Sequence, residues 1–180
     1  MQLDRIVGQV CDRQTWRASR GDSPGDILGG VSQEHSTTTG SEEDRRLLAQ
    51  WASDCAERVL PLFEARHSGD DRPRKAVEAA RAWVRGEIRV GQARKVASAA
   101  HAVARDATDP AARAAARSTG QAVGTAHMGG HARHAANYAA TAVTHASSGD
   151  SEAGARERAW QYQRIPVPVR AFTYPNGDPK

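Results

Sequence analysis

The sequence has little cysteine, few aromatic residues and no long apolar run. Of its 180 residues, two are cysteine and 5% are aromatic. Two cysteines without a paired spacing argue against a disulfide framework and indicate a reducing compartment. No stretch approaches the roughly 18 consecutive apolar residues that cross a membrane, and no apolar leader stands at the N-terminus. We therefore expect a cytoplasmic protein without a membrane segment.

The familiar catalytic motifs are also missing from the sequence. It contains no GxSxG nucleophile elbow, no Gly-rich phosphate loop, no dinucleotide fingerprint, no HExxH and no paired-cysteine metal motif. Cys55 lies on the apolar face of a predicted helix, which favours a buried small side chain over a nucleophile. The sequence therefore predicts a protein that is not an enzyme and that needs no cofactor.

Charge of one sign is never concentrated in one block. The chain carries a net charge of +4, and only three of its 25 basic residues are lysine. Arginine beside acidic neighbours favours ion pairs on helix surfaces over a nucleic-acid-binding surface. Association with nucleic acid as a basic helical protein stays as an alternative function.

Composition divides the chain into three parts. Residues 1–40 are rich in Gly, Ser, Thr and Asp with no sustained period, which predicts a flexible N-terminal arm. From Ser41 onward apolar residues recur every three or four positions, and Pro61 either bends the first helix or divides it. Residues 41–165 form the predicted helical domain. Four prolines predict an extended tail over residues 166–180.

The domain is predicted to be all-α, a compact bundle of about six helices. Alanine dominates its apolar positions, so burial must come from close helix approach. Pro73 and Pro110 each open a helix after an aspartate. The stretch GQAR at 91–94 echoes GHAR at 130–133, each before the second helix of a pair. Two stacked helical hairpins and chance likeness between Ala-rich helices both remain open.

Three of the seven histidines lie in the block HMGGHARHAANY, which begins at His127. In an unbroken helix His127, His131 and His134 would share one face, as paired metal ligands do. With His101 they form the candidate metal site of an alternative function, a metal-binding helical protein or metal-dependent enzyme. Gly129-Gly130 weakens this reading because it can break the helix. The simpler interpretation is partly buried histidines bonded to backbone or hydroxyl groups.

Four blocks of the sequence follow one another in a distinctive order: LLAQWASDCAERVLPLFE, DDRPRKAVEAARAW with the helix after it, GTAHMGGHARHAANYA and ERAWQYQRIP. From about Glu42 to Pro166 they resemble the immunity proteins of bacterial polymorphic-toxin systems, the Imm-five-like group. The resemblance implies an all-helical cytoplasmic protein that binds and neutralises a cognate toxin, and it carries over no catalytic residue. The matching positions are Trp51, Asp54, Cys55, Pro61, Asp71, Arg72, Pro73, Arg74, Trp83, Gly86, Ala100, His101, Arg105, Asp106, His127 and Trp160.

Charged residues among these positions are candidates for a polar cluster or for contact with the partner. They are Asp54, Arg74, Arg105 and Asp106. Their simpler interpretation is ion pairing on the surface or between helices. A pairing of His127 across the core with His101, Asp54 or Asp106 is the remaining site hypothesis. The oligomeric state is left open, because no heptad seam is long enough to predict it.

Overall fold

The computed structural model describes residues 40–177, so that the predicted arm lies almost wholly outside the described residues. Within this range all regular structure is helical and no strand occurs, which confirms the predicted all-α fold. None of these helices is long and apolar enough to cross a membrane. The helices are α1 (Glu42–Glu64), α2 (Arg72–Val84), α3 (Val90–Asp106), α4 (Pro110–Gly124), α5 (His131–Ala146), α6 (Ser151–Arg164) and α7 (Val167–Thr173).

Side-chain caps begin α1 and α4, whereas Asp71 at the start of α2 makes no side-chain cap hydrogen bond. The Ser41 hydroxyl accepts a hydrogen bond from the Asp44 backbone N–H at 3.0 Å, and the Asp44 carboxylate accepts one from the Ser41 N–H at 2.9 Å. This reciprocal capping box satisfies two backbone donors at the start of α1. At α4 the Asp109 carboxylate accepts from the Ala112 N–H at 2.8 Å, and Pro110 fills the first helical position. A proline there loses no helical hydrogen bond.

Helix α1 continues through Pro61 as a single helix. Pro61 lies in its last turn and is exposed, so only one backbone hydrogen bond is lost, near the end of the helix. Large buried side chains of α1 include Leu48, Trp51, Leu62 and Phe63. They pack into a core that is otherwise mostly alanine, which lets the helices approach closely. Helix α1 contacts α2, α4, α5 and α7.

Helices α2 and α3 pack on each other, and so do α4 and α5. These are the two pairs that the weak internal repeat marked. Helix α4 also packs against α2 and α3, so it lies between the first pair and α5. This is the arrangement that two stacked hairpins would give.

The prediction of an extended tail over residues 166–180 was wrong for its first part. Residues 167–173 form α7, which makes seven helices within residues 40–177 rather than about six. Pro166 is the N-cap of α7 and Pro168 lies in its first turn, where a missing N–H costs little. Val169 and Thr173 are 1% exposed, so α7 packs on the domain. The compact part of the chain therefore extends past residue 165.

Candidate functional site

A cleft of about 280 Å³ opens between α3, the C-terminal half of α4 and the turn that leads into α5. We call it the histidine cleft. It gathers three of the four predicted metal ligands, from two helices and a turn. Its lining residues are Arg94, Ala97, Ser98, His101, Gly120, Gln121, Gly124, His127 and His131.

Two glycines of α4 form the floor of the histidine cleft. Gly120 and Gly124 are four residues apart, so they lie on one face of the helix. A Cβ added at Gly120 would lie 2.7 Å from Cε1 of His101, so the imidazole rests directly on the helix backbone. A Cβ added at Gly124 would lie 3.4 Å from the ring of His131 and 3.8 Å from that of His127. The depth of the cleft therefore depends on the absence of side chains at these two positions.

The turn after α4 brings His127 and His131 together, although the helix is broken between them. Helix α4 ends at Gly124 and α5 begins at His131, so the unbroken helical face of the sequence interpretation does not exist. The two rings are nevertheless tilted against each other with centroids 4.8 Å apart. His134 lies one turn further, 6.3 Å from His131, and is exposed outside the cleft lining.

One glycine of the pair between these histidines has a packing role. A Cβ at Gly129 would lie 3.2 Å from Cδ1 of Leu48, so this glycine lets the turn approach α1 closely. Gly130 is the N-cap of α5, and no atom beyond its immediate chain neighbours lies within 4 Å of a Cβ built there. Gly129 therefore allows close packing at the point where the helix is broken.

Gln121 orients one of the imidazoles. Its side-chain oxygen lies 2.6 Å from Nδ1 of His131. Because an amide oxygen only accepts, this partner assigns the proton of neutral His131 to Nδ1 and leaves Nε2 as an acceptor. Burial lowers the pKa of His101, His127 and His131 below the usual 6.5. All three imidazoles are therefore predominantly neutral near pH 7.

In the part of the chain that the structure describes, the charged groups that act on these imidazoles are all basic. Burial is the largest cause of these shifts. Next to it, Arg105 and Arg117 lower the pKa of His101, and Arg94 lowers the pKa of His127. The pKa of His131 is lowered further by the neighbouring imidazoles. None of the three arginines has a carboxylate within ion-pair distance among residues 40–177. The cleft thus combines uncompensated positive charge with imidazole donors, which suits an anionic group.

The candidate metal-ligating histidines are not arranged as a metal centre. Within residues 40–177, no group of three His, Cys, Asp or Glu side chains is arranged to hold a metal ion. His101, His127 and His131 share the cleft, but no acid or thiol among residues 40–177 lines it with them. The arrangement favours hydrogen bonding to a ligand over metal coordination.

The four charged candidates do not form one cluster. Asp54 accepts from Gln50 and from Arg81, each at 3.0 Å, and Arg81 also bonds Glu57 at 2.7 Å. Burial raises the pKa of Asp54, and Arg81 opposes that shift. This arrangement ties α1 to α2, as the ion-pair interpretation expected.

The other three candidates are dispersed. Arg74 pairs with Glu64 at 2.6 Å at the other end of the α1–α2 contact. Asp106 is the last residue of α3. Only Arg105 acts on the histidine cleft, through His101. His127 accordingly lies against His131 and in the same cleft as His101, and its pKa carries no contribution from either predicted acid.

A buried ion pair between α1 and α6 was missed by the sequence reasoning. Glu157 is 3% exposed, and its Oε2 lies 3.2 Å from Nε of Arg58, while Gln161 donates to its Oε1 at 3.1 Å. Arg58 and Arg164 lie over the ring of Trp160, at 3.9 and 4.4 Å from its centroid. Burial raises the pKa of Glu157, and Arg58 opposes that shift. The only sequence signal was the spacing of Glu157 and Gln161 by one helical turn.

Cys55 is fully buried on α1, as expected. Burial raises the pKa of its thiol well above the usual value, and the nearby carboxylates raise it further. A protonated and inaccessible thiol is not a nucleophile.

The fold and the cleft thus define an all-helical domain with a basic, histidine-lined surface cavity. Residues 38–168 match the family described as "Imm-5 like putative immunity protein", and because the match covers more than half of the chain, the chain belongs to this family. The resemblance drawn from the sequence blocks is thereby confirmed. Searches of curated proteins and of solved structures gave no significant match. The matched range runs from just before α1 into the first turn of α7.

Proposed function

We propose that the protein binds a cognate bacterial toxin and neutralises it by occupying its surface, without catalysis of its own. The observation that carries this proposal is the family match over residues 38–168, which spans α1 to α6. An immunity protein of a polymorphic-toxin system protects the cell that makes the toxin. We therefore place it in the bacterial cytoplasm.

The chemistry of the described residues supports binding over catalysis. The thiol of Cys55 is buried and protonated. The imidazoles of the histidine cleft are neutral, but no acid among residues 40–177 acts on them to orient a general base. Charged and imidazole groups on rigid helices, with a small cavity between them, suit the recognition of a protein surface.

Co-expression with the toxin encoded beside the gene tests this function. Cells that express the toxin alone are expected to stop growing, and cells that also express the full chain are expected to grow. The purified toxin and the chain should then co-elute as one complex. A toxin that kills equally well in the presence of the folded chain, or that does not bind it, contradicts the proposal.

A further inference from the structure

We infer that the histidine cleft is the anchor site for an acidic side chain of the toxin, an aspartate or glutamate that enters between α3, α4 and α5. The identity of the partner rests on the proposed function. The chemistry of the ligand rests on the cleft alone.

The size of the cleft fits a single side chain. Its volume of about 280 Å³ lies just below the range of roughly 300–1,000 Å³ that is usual for small-molecule pockets. Its floor is backbone at Gly120 and Gly124, so an entering group would reach the surface of α4 itself. A hollow of this kind is where the anchor residue of a protein partner is typically buried.

The charge of the cleft is complementary to a carboxylate. Arg94, His101 and Arg105 lie on one face of α3, since they are spaced by seven and four residues. Arg117 adds a third guanidinium from α4, where it also lies over the ring of Tyr138 at 5.6 Å. With no carboxylate in reach among residues 40–177, these arginines present positive charge that a partner would compensate. Guanidinium groups bind carboxylates with two parallel hydrogen bonds.

The imidazoles supply directed donors between these charges. Neutral His101 and His127 each have one N–H to donate, and His131 is held by Gln121. His134 flanks the group from α5. A bound carboxylate would stabilise the protonated form of any of these imidazoles, so binding and proton uptake would be coupled.

A protein partner fits better than nucleic acid. Nucleic acid binding requires an extended basic track, and single strands also use aromatic side chains for base stacking. Here Arg94 lines the hollow and Arg105 and Arg117 act on His101 within it, and among residues 40–177 no Phe, Tyr or Trp lines it. The cleft therefore suits one carboxylate better than a run of phosphates.

Gly124→Ala tests the anchor with little risk to the fold. The added methyl group would meet His131 and His127 at ordinary contact distances, and alanine is favoured over glycine in a helix. Gly91→Ala is the matched control, because it lies in the first turn of α3, outside the lining, with nothing within 4 Å of its Cβ. We expect Gly124→Ala to weaken toxin binding by about tenfold or more, as for loss of an interface anchor, and Gly91→Ala to leave it unchanged.

A probe that does not depend on the toxin is an acetylated tetraglutamate peptide, titrated into the full chain while the imidazole resonances are followed by NMR. We expect shifts at His101, His127 and His131 that are reduced in Gly124→Ala and retained in Gly91→Ala. A duplex oligonucleotide serves as the comparison. No shift at these rings, equal shifts in both variants, or tighter binding of the oligonucleotide would overturn the inference.

The two experiments separate the failure of the anchor from the failure of the function. Equal binding of toxin by wild type and Gly124→Ala would overturn the anchor site and leave the immunity function standing. A toxin that binds no variant would overturn the function and the identity of the partner, and the peptide titration would still decide whether the cleft takes a carboxylate.

Discussion

Replacing Arg58 with methionine removes the ionic partner of an almost fully buried carboxylate. Arg58 Nε lies 3.2 Å from Glu157 Oε2, and the two side chains are 11% and 2% exposed. Methionine keeps much of the aliphatic contact of arginine but carries no charge. Glu157 would then keep only the hydrogen bond from Gln161 at 3.1 Å.

The expected loss in the free energy of unfolding is about 3–5 kcal/mol at pH 7, because a buried charge loses its ion-pair partner and keeps only the longer-range attraction of Arg164. The contact of Arg58 with the Trp160 ring at 3.9 Å adds to the effect, by about 0.5–2 kcal/mol in other proteins. Adding Glu157→Gln removes the stranded charge, so the double variant is expected to recover most of the loss. Arg46→Met is the matched control: its pair with Glu42 is 46% and 61% exposed and is expected to contribute less than about 0.5 kcal/mol.

Urea unfolding of the full chain, followed by circular dichroism at pH 7 and pH 5, measures these differences. Burial already raises the pKa of Glu157, and the loss of Arg58 raises it further. A carboxyl with a raised folded-state pKa is destabilising when ionised, so the defect of Arg58→Met should shrink as the pH falls toward 5. A loss below about 1 kcal/mol at pH 7, or a double variant no more stable than the single one, would refute the reasoning.

Two further predictions concern the histidine cleft. The pKa values of His101, His127 and His131 are lowered in the fold, so their contribution to stability is complete above about pH 6.5 and is lost as the pH falls below that value. Urea unfolding from pH 8 to pH 5.5 should show this decline in the free energy of unfolding. A variant with glutamine at all three positions should show a smaller decline. Gly120→Ala should displace the His101 ring and lower the free energy of unfolding by about 1–3 kcal/mol, as overpacking does; if unfolding and the His101 ring resonances match those of wild type, the ring does not rest on the helix backbone.

Much of the fold could be predicted because its signals are local. The capping box of Ser41 and Asp44, the Asp109 cap and the apolar period all act within a few residues, so they can be recognised without knowing the packing. The tail was mispredicted because the prediction used the number of its prolines and not their positions relative to the start of a helix. Pro166 and Pro168 stand at the cap and the first turn of α7, where proline is compatible with a helix.

The site was only partly predictable because its geometry depends on long-range packing. The sequence grouped His127, His131 and His134 by helical period, but the helix is broken and His134 is not among the residues that line the cleft. His101 joins from α3, a contact that no local pattern specifies. The buried pair of Arg58 and Glu157 joins residues 99 positions apart, and each of them alone has the character of a surface residue.

Gly120 and Gly124, the floor of the histidine cleft, differ in whether the free fold explains the absence of a side chain. Six of the fifteen residues of α4 are alanine, and in a helix alanine is more stable than glycine by about 0.5–1 kcal/mol. Gly120 is explained by the free fold, because a Cβ there would collide with His101. Gly124 is not explained in this way: its φ lies outside the left-handed region, and a Cβ would make only ordinary contacts. A glycine that costs helix stability without relieving a collision fits a hollow kept open for a partner. Gly124→Ala should therefore stabilise the free protein in urea while weakening the toxin complex, and a variant that changes both in the same direction would contradict this account.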